Sequence, residues 1–156
     1  MAHPFTAGSP LQIVSHSVTT SGQKGSQTAY TYNDIAETFN TITIKETGSL
    51  LVVQGYAQGW LNGSTGGASV AIKWGTNIVG RGSSSQGDGW NRAGDNGDAY
   101  RSYSIGRIAH IDHELSAGAT LSIGLTLGAW TTTGAGAGWP GHVANFSWQA
   151  IEYSRQ

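Results

Sequence analysis

The chain contains no cysteine, three prolines and a single methionine in 156 residues. Without cysteine no disulfide staples the fold, which excludes a secreted disulfide scaffold and makes stability independent of redox state. Charge is also sparse. Eight Lys and Arg stand against nine Asp and Glu, 11% of the chain, with a formal net charge of −1; an average soluble protein has ~25%. No cluster of Lys and Arg offers the basic surface that nucleic acid requires, so no nucleic-acid partner is expected. No segment approaches the ~20 consecutive apolar residues of a membrane helix, so no membrane insertion is expected. Met1–Phe5 lacks the basic region and apolar run of a signal peptide, and synthesis and folding in a cytoplasm are expected.

What the chain has in quantity is glycine, 24 residues, with six Trp and six Tyr. The glycines gather in loops, and between them the apolar residues repeat with period two, the period of a strand that buries one face. Leu11–Val18 is the first such segment. Thr28–Ile35 and Phe39–Ile44 follow, the latter rich in β-branched residues that favour a pleated surface. Leu50–Trp60 opens as a continuous apolar run, as a strand in the middle of a sheet does, and then alternates. Ser69–Trp74 and Ile78–Gly80 flank Gly75-Thr76-Asn77, a tight hairpin. Ala99–Ile111 places Ile105 and Ala109 on one face and Ile108 and His110 on the other. Leu121, Ile123, Leu125 and Leu127 give the strongest alternation in the chain, and Val143–Tyr153 is the last strand.

Many short strands with turn signals between them, and no helical period, predict an all-β, single-domain antiparallel β-sandwich. Two long Gly-rich loops (Gly82–Asp98 and Thr131–His142) and an N-terminal extension favour the jelly-roll type. Residues 1–10, with two Pro and one Gly, read as an extended arm, and residues 11–156 as the sandwich domain.

Chemistry-bearing motifs are few. His110, Asp112, His113 and Glu114 form the densest group of metal-ligating residue types. On a strand, however, His110 and Asp112 share one face and His113 takes the other, so the group reads as a strand running into a turn. Asp88–Asp98 has the composition of a calcium loop but lacks alternate oxygen ligands and a closing Glu. Gly134–Gly138 has neither the Lys nor the following helix of a phosphate loop, and no G-x-S-x-G marks a nucleophile elbow. No catalytic residue, metal ligand or cofactor is assigned, and the chain is expected not to be an enzyme. Trp60, Trp90 and Trp139 lie in or beside Gly-rich loops. They are candidate ligand or interface aromatics, because a flat apolar ring buries much area at low entropic cost; equally, they can plug the end of the sandwich or a subunit contact.

Five segments in order carry a family resemblance: Ser9–Val14, Leu50–Val53, Val70–Gly80, Ile108–Asp112 and Phe146–Glu152. Together they resemble the small jelly-roll head module at the ends of bacteriophage tail-fibre proteins and in related virion proteins, over nearly all of the chain after residue 10. The resemblance implies a homotrimer on the outer surface of a virion, made in the host cytoplasm. Tail-fibre heads follow a long shaft, whereas here about ten residues precede the first strand. A capsid decoration or cement protein is therefore expected, binding the major capsid protein or another virion protein through an attachment arm that includes His3, Pro4, Phe5 and Pro10. The alternative is a tail-fibre or receptor-binding tip that holds a host glycan through its Trp-bearing loops.

Overall fold

Alternating strands must bury one face each, and two stacked sheets achieve this when the chain passes from one layer to the other and back. The computed structural model describes residues 8–22, 32–62, 67–79, 91–92, 100–129 and 143–155. Its strands are β1 (Pro10–Ser21), β2 (Tyr32–Asp34), β3 (Asn40–Thr43), β4 (Leu50–Asn62), β5 (Gly67–Trp74), β6 (Asn77–Val79), β7 (Asn91–Arg92), β8 (Tyr100–Asp112), β9 (Thr120–Ala129) and β10 (Val143–Tyr153). A 3₁₀ turn occupies Ala36–Thr38.

One sheet has the order β1-β10-β4-β8. In the other, β9 and β5 are central; β2 and β3 pair with successive parts of β9, and β6 and β7 with opposite ends of β5. All of these pairs are antiparallel. The chain thus enters the first sheet at β1, crosses for β2 and β3, returns for β4, crosses for β5 to β7, returns for β8, crosses for β9 and ends on β10. This to-and-fro winding is the jelly roll expected from the sequence.

The core lies between the layers. Leu51, Val53, Ile105, Ile111, Phe146 and Trp148 face it from the first sheet, and Val70, Ile72, Leu121, Ile123, Leu125 and Leu127 from the second. The 3₁₀ turn is the one described departure from strand geometry between β2 and β3, and it is tied down by side chains. Thr38 Oγ1 donates to Ile35 O at 2.7 Å and accepts the Leu125 N–H at 2.8 Å. Trp148 Nε1 donates to Thr38 O at 2.7 Å, so the largest buried ring of the first sheet is pinned to the second.

At the β1 edge Gln12 Nε2 donates to Thr43 O at 2.7 Å and His16 Nε2 to Glu37 O at 3.0 Å. These bonds close the side of the sandwich. On the outer surface of the second sheet the rings of Phe39 and Tyr32 lie directly over Gly124 and Gly128, where a Cβ would meet ring carbons at 2.5 and 2.8 Å. Aromatic rings filling the space of strand glycines in this way restore packing that the glycines lack.

Some boundaries differ from the sequence reading. β1 continues through Thr19, Thr20 and Ser21, expected as loop, because each pairs with β10 and Thr19 Oγ1 donates to Asn145 Oδ1 at 2.8 Å. Pro10, expected in the arm, is the first residue of β1 and pairs with Tyr153. The hairpin turn is Gly75-Thr76, with Asn77 already paired to Trp74 and Gly75 at φ +54°.

Candidate interaction surface

Strand register builds the outward face of the β1-β10-β4-β8 sheet in transverse rows. Ile13, Ile151, Val52 and His110 form one row. Next to it run Ser15, Gln149, Gln54 and Ile108, then Ser17, Ser147, Tyr56 and Gly106. Ile13 and Ile108 are 61% and 62% exposed, and Val143, Tyr56 and Leu11 are exposed as well. Among the described outward positions Asp112 alone carries a charge, and Arg155 is paired with it.

Between these rows lies an open depression of about 700 Å³, spanning all four strands. Gly106 forms its low point because no side chain rises there beside Tyr56. Hydroxyls and amides line it, from Ser15, Ser17, Ser147, Gln54 and Gln149. Gln149 Nε2 donates to Ser15 Oγ at 3.3 Å, and Ser104 Oγ to the Tyr56 hydroxyl at 3.1 Å. Such a face is neutral, part apolar and part hydrogen-bonding, as interfaces usually are.

A second group of chemically capable residues sits at one end of the sandwich. Glu152, Ser49 and His113 are 0%, 0% and 4% exposed. Glu152 accepts from Ser49 Oγ at 2.6 Å, from the Lys45 and Glu46 N–H groups at 2.9 and 3.1 Å, and from Gln12 Nε2. Burial pushes this carboxyl up, but the donors from Ser49, Gln12, Glu46 and Lys45 outweigh it and hold Glu152 below the ordinary carboxylate value. Burial is also the largest influence on His113, holding it below the usual imidazole value; Glu152 and Asp112 raise it and Arg155 lowers it. The carboxylate accepts the Ser49 hydroxyl hydrogen bond directly instead of orienting the imidazole, so the order differs from that of an activated nucleophile. What this group does is neutralise the backbone donors of the turn between β3 and β4.

No family model matches the chain, and no curated protein does. Solved structures with a similar fold include dimeric latent PorU from Porphyromonas gingivalis, at 9% identity and a TM-score of 0.42 over 95% of this chain. The chain spans 13% of the length of PorU. The globular domain of zebrafish complement 1qA is similar at 13% identity and a TM-score of 0.41, over 91% of this chain and 98% of that domain. Desmodium yellow mottle tymovirus is similar at 10% identity and a TM-score of 0.29, over 100% of this chain and 95% of the viral one. At these identities and scores no residue role or activity carries over from them.

Of the site residues expected from sequence, His3, Pro4, Phe5, Trp90 and Trp139 lie outside the described residues. Trp60 belongs to β4 rather than to a loop and pairs across to Ser102. Of the calcium-like stretch 88–98, only Asn91 and Arg92 are described, as β7. The ligand-type residues at the end of β8 are separated as their spacing predicts: His110 and Asp112 face outward and His113, just beyond the strand, inward. Sequence reasoning did not find the outward face of the first sheet, because its rows join residues up to 138 positions apart, as Ile13 and Ile151 show.

Proposed function

We propose that this protein is a non-enzymatic structural component of a bacteriophage particle, an exterior capsid decoration protein that works as a homotrimer. The observation that supports it is the outward face of the β1-β10-β4-β8 sheet: a wide, ordered surface with Ile13, Ile108 and Val143 exposed and with one charged residue among its described positions. Four strands spaced about 4.8 Å apart and about ten residues long at 3.3 Å each give a footprint of roughly 600 Å², before side-chain relief is counted. A standard specific interface buries about 800 Å² per partner. A face with so little charge packs against a sister subunit without like-charge repulsion, and in a trimer it meets a different patch of the next subunit around the ring. Three subunits joined this way would present three copies of their remaining surface to the shell, and weak individual contacts sum to high avidity. The virion context rests on the sequence resemblance to phage head modules.

One observation favours a second reading, a receptor-binding tip. The depression on the same face is lined by hydroxyls and amides together with Tyr56, His16 and Arg107, a set that suits the hydroxyl groups of a glycan. Cryo-electron microscopy of particles carrying this protein separates the two readings. Many copies at symmetry-related positions on the head are expected; a few copies at the tail tip would replace the decoration reading with the receptor one, and absence from the particle would end both.

A further inference from the structure

His113 follows the last residue of β8, and its two ring nitrogens are committed in opposite senses. Nδ1 accepts the Leu115 N–H at 3.3 Å and therefore holds a lone pair. The ring proton is then on Nε2, which lies 3.3 Å from Ser49 Oγ, and Ser49 donates onward to Glu152 Oε1 at 2.6 Å. The direction of each bond in this chain is fixed, and it requires a neutral imidazole.

The ring sits where two turns are fastened together. Residues 44–49 join β3 to β4, and residues 113–119 join β8 to β9. Gly48 N donates to Leu115 O at 3.1 Å, Gly118 N to Ile44 O at 2.8 Å and Ile44 N to Ala119 O at 2.9 Å. Ala117 N donates to Thr47 Oγ1 at 3.1 Å. A proton added to Nδ1 would turn an acceptor into a donor aimed at the Leu115 N–H, and the ring could stay in place only by opposing two donors in a buried site.

The charged groups around the ring act in both directions. Glu152 on β10 and Asp112 at the end of β8 favour the extra proton, while Arg155 beyond β10 opposes it. In the 44–49 turn, Lys45 presents its N–H to Glu152, and the Glu46 carboxylate is occupied by the Ser154 hydroxyl at 2.7 Å and the Arg155 N–H at 3.2 Å. Glu114 is exposed next to the ring along the chain.

We propose that His113 is an acid-released latch: when its ring takes a second proton, the 113–119 turn separates from the 44–49 turn while the two sheets stay packed. This does not depend on what the outward face of the first sheet binds.

Hydrogen exchange of the full chain between about pH 7.5 and about pH 5, corrected for intrinsic rates, tests it at single amides. Protection of Leu115, Gly48 and Gly118 is expected to fall about tenfold per pH unit below the free-imidazole value, while Ile72 and Leu125 in the central pair of the second sheet keep theirs. His113→Phe, which cannot titrate, is expected to remove the pH dependence at those three amides. Constant protection of the three, or the same fall in His113→Phe, would overturn the proposal. Should the variant not fold, the wild-type ring is followed by nuclear magnetic resonance. Protonation of the ring in step with loss of protection at Leu115, Gly48 and Gly118 upholds the latch; protonation with that protection unchanged refutes it.

Discussion

Ile13 and Ile108 are the sharpest probe of the outward sheet face. Complete burial of an isoleucine side chain yields about 1.5–3 kcal/mol. At 61% and 62% exposure, each has about three-fifths of that still to gain, or about 1–2 kcal/mol per contact. Replacing both with serine is thus expected to weaken self-association by about 2–4 kcal/mol, a factor of roughly thirty to several hundred in the dissociation constant. Sedimentation velocity over a concentration series measures this, with the wild-type chain running as a trimer and the double variant shifting to monomer at the same concentration. Because about two-fifths of each side chain is already covered in the monomer, the dissociated double variant should lose only about 1–2 kcal/mol in urea unfolding. Ser122→Ala, on the exposed surface of the other sheet, serves as control and should leave assembly unchanged. Unaltered association of the double variant would refute the assignment of this face, and a wild-type chain monomeric at all concentrations would refute the trimer itself.

Further outcomes follow from the buried carboxylate and from the strand glycines. Glu152→Ala leaves the Lys45 and Glu46 N–H groups without their acceptor, and is expected to cost about 3–5 kcal/mol in urea unfolding. Since its folded-state value lies below 4.5, the stability that Glu152 contributes is fully present above that pH and is lost as pH falls through the depressed value. Glu152→Gln should flatten the stability profile below pH 4.5, and an unchanged acid limb would contradict the role given to this carboxylate. Gly124→Ala must displace the Phe39 ring, whose carbons stand 2.5–2.6 Å from the new Cβ, and should destabilise by about 1–3 kcal/mol. Gly106→Ala meets nothing nearer than 4.0 Å and should be close to neutral in the same assay.

The strands were legible wherever alternation was one-sided. Leu121, Ile123, Leu125 and Leu127 are all buried, as their spacing requires, and β10 has the predicted bounds. Alternation failed to choose the core face of β8, because Ile105 and Ile108 stand on opposite sides and only packing decides that Ile105 is inside. It was also silent about Glu152. A glutamate in a strand reads as a solvent residue, and its partners Gln12 and Ser49 lie 140 and 103 positions away. Gly124 and Gly128 look like weak points of a strand until Phe39 and Tyr32 are seen to cover them. In each case the deciding contact comes from a segment distant along the chain, which no local pattern encodes.

The position of β10 governs how the molecule can be made. It is the last strand in the chain yet an interior member of the first sheet, pairing with β1 on one side and β4 on the other. Until it is synthesised, β1 has no described strand neighbour, and the β4–β8 pair keeps an open edge. Non-local pairings of this kind form slowly, and unpaired edges recruit other chains. A chain cut short before Val143 would therefore lose the seam of the sheet rather than its margin. Until that seam is closed, the open edge of β4 is available for pairing with other chains.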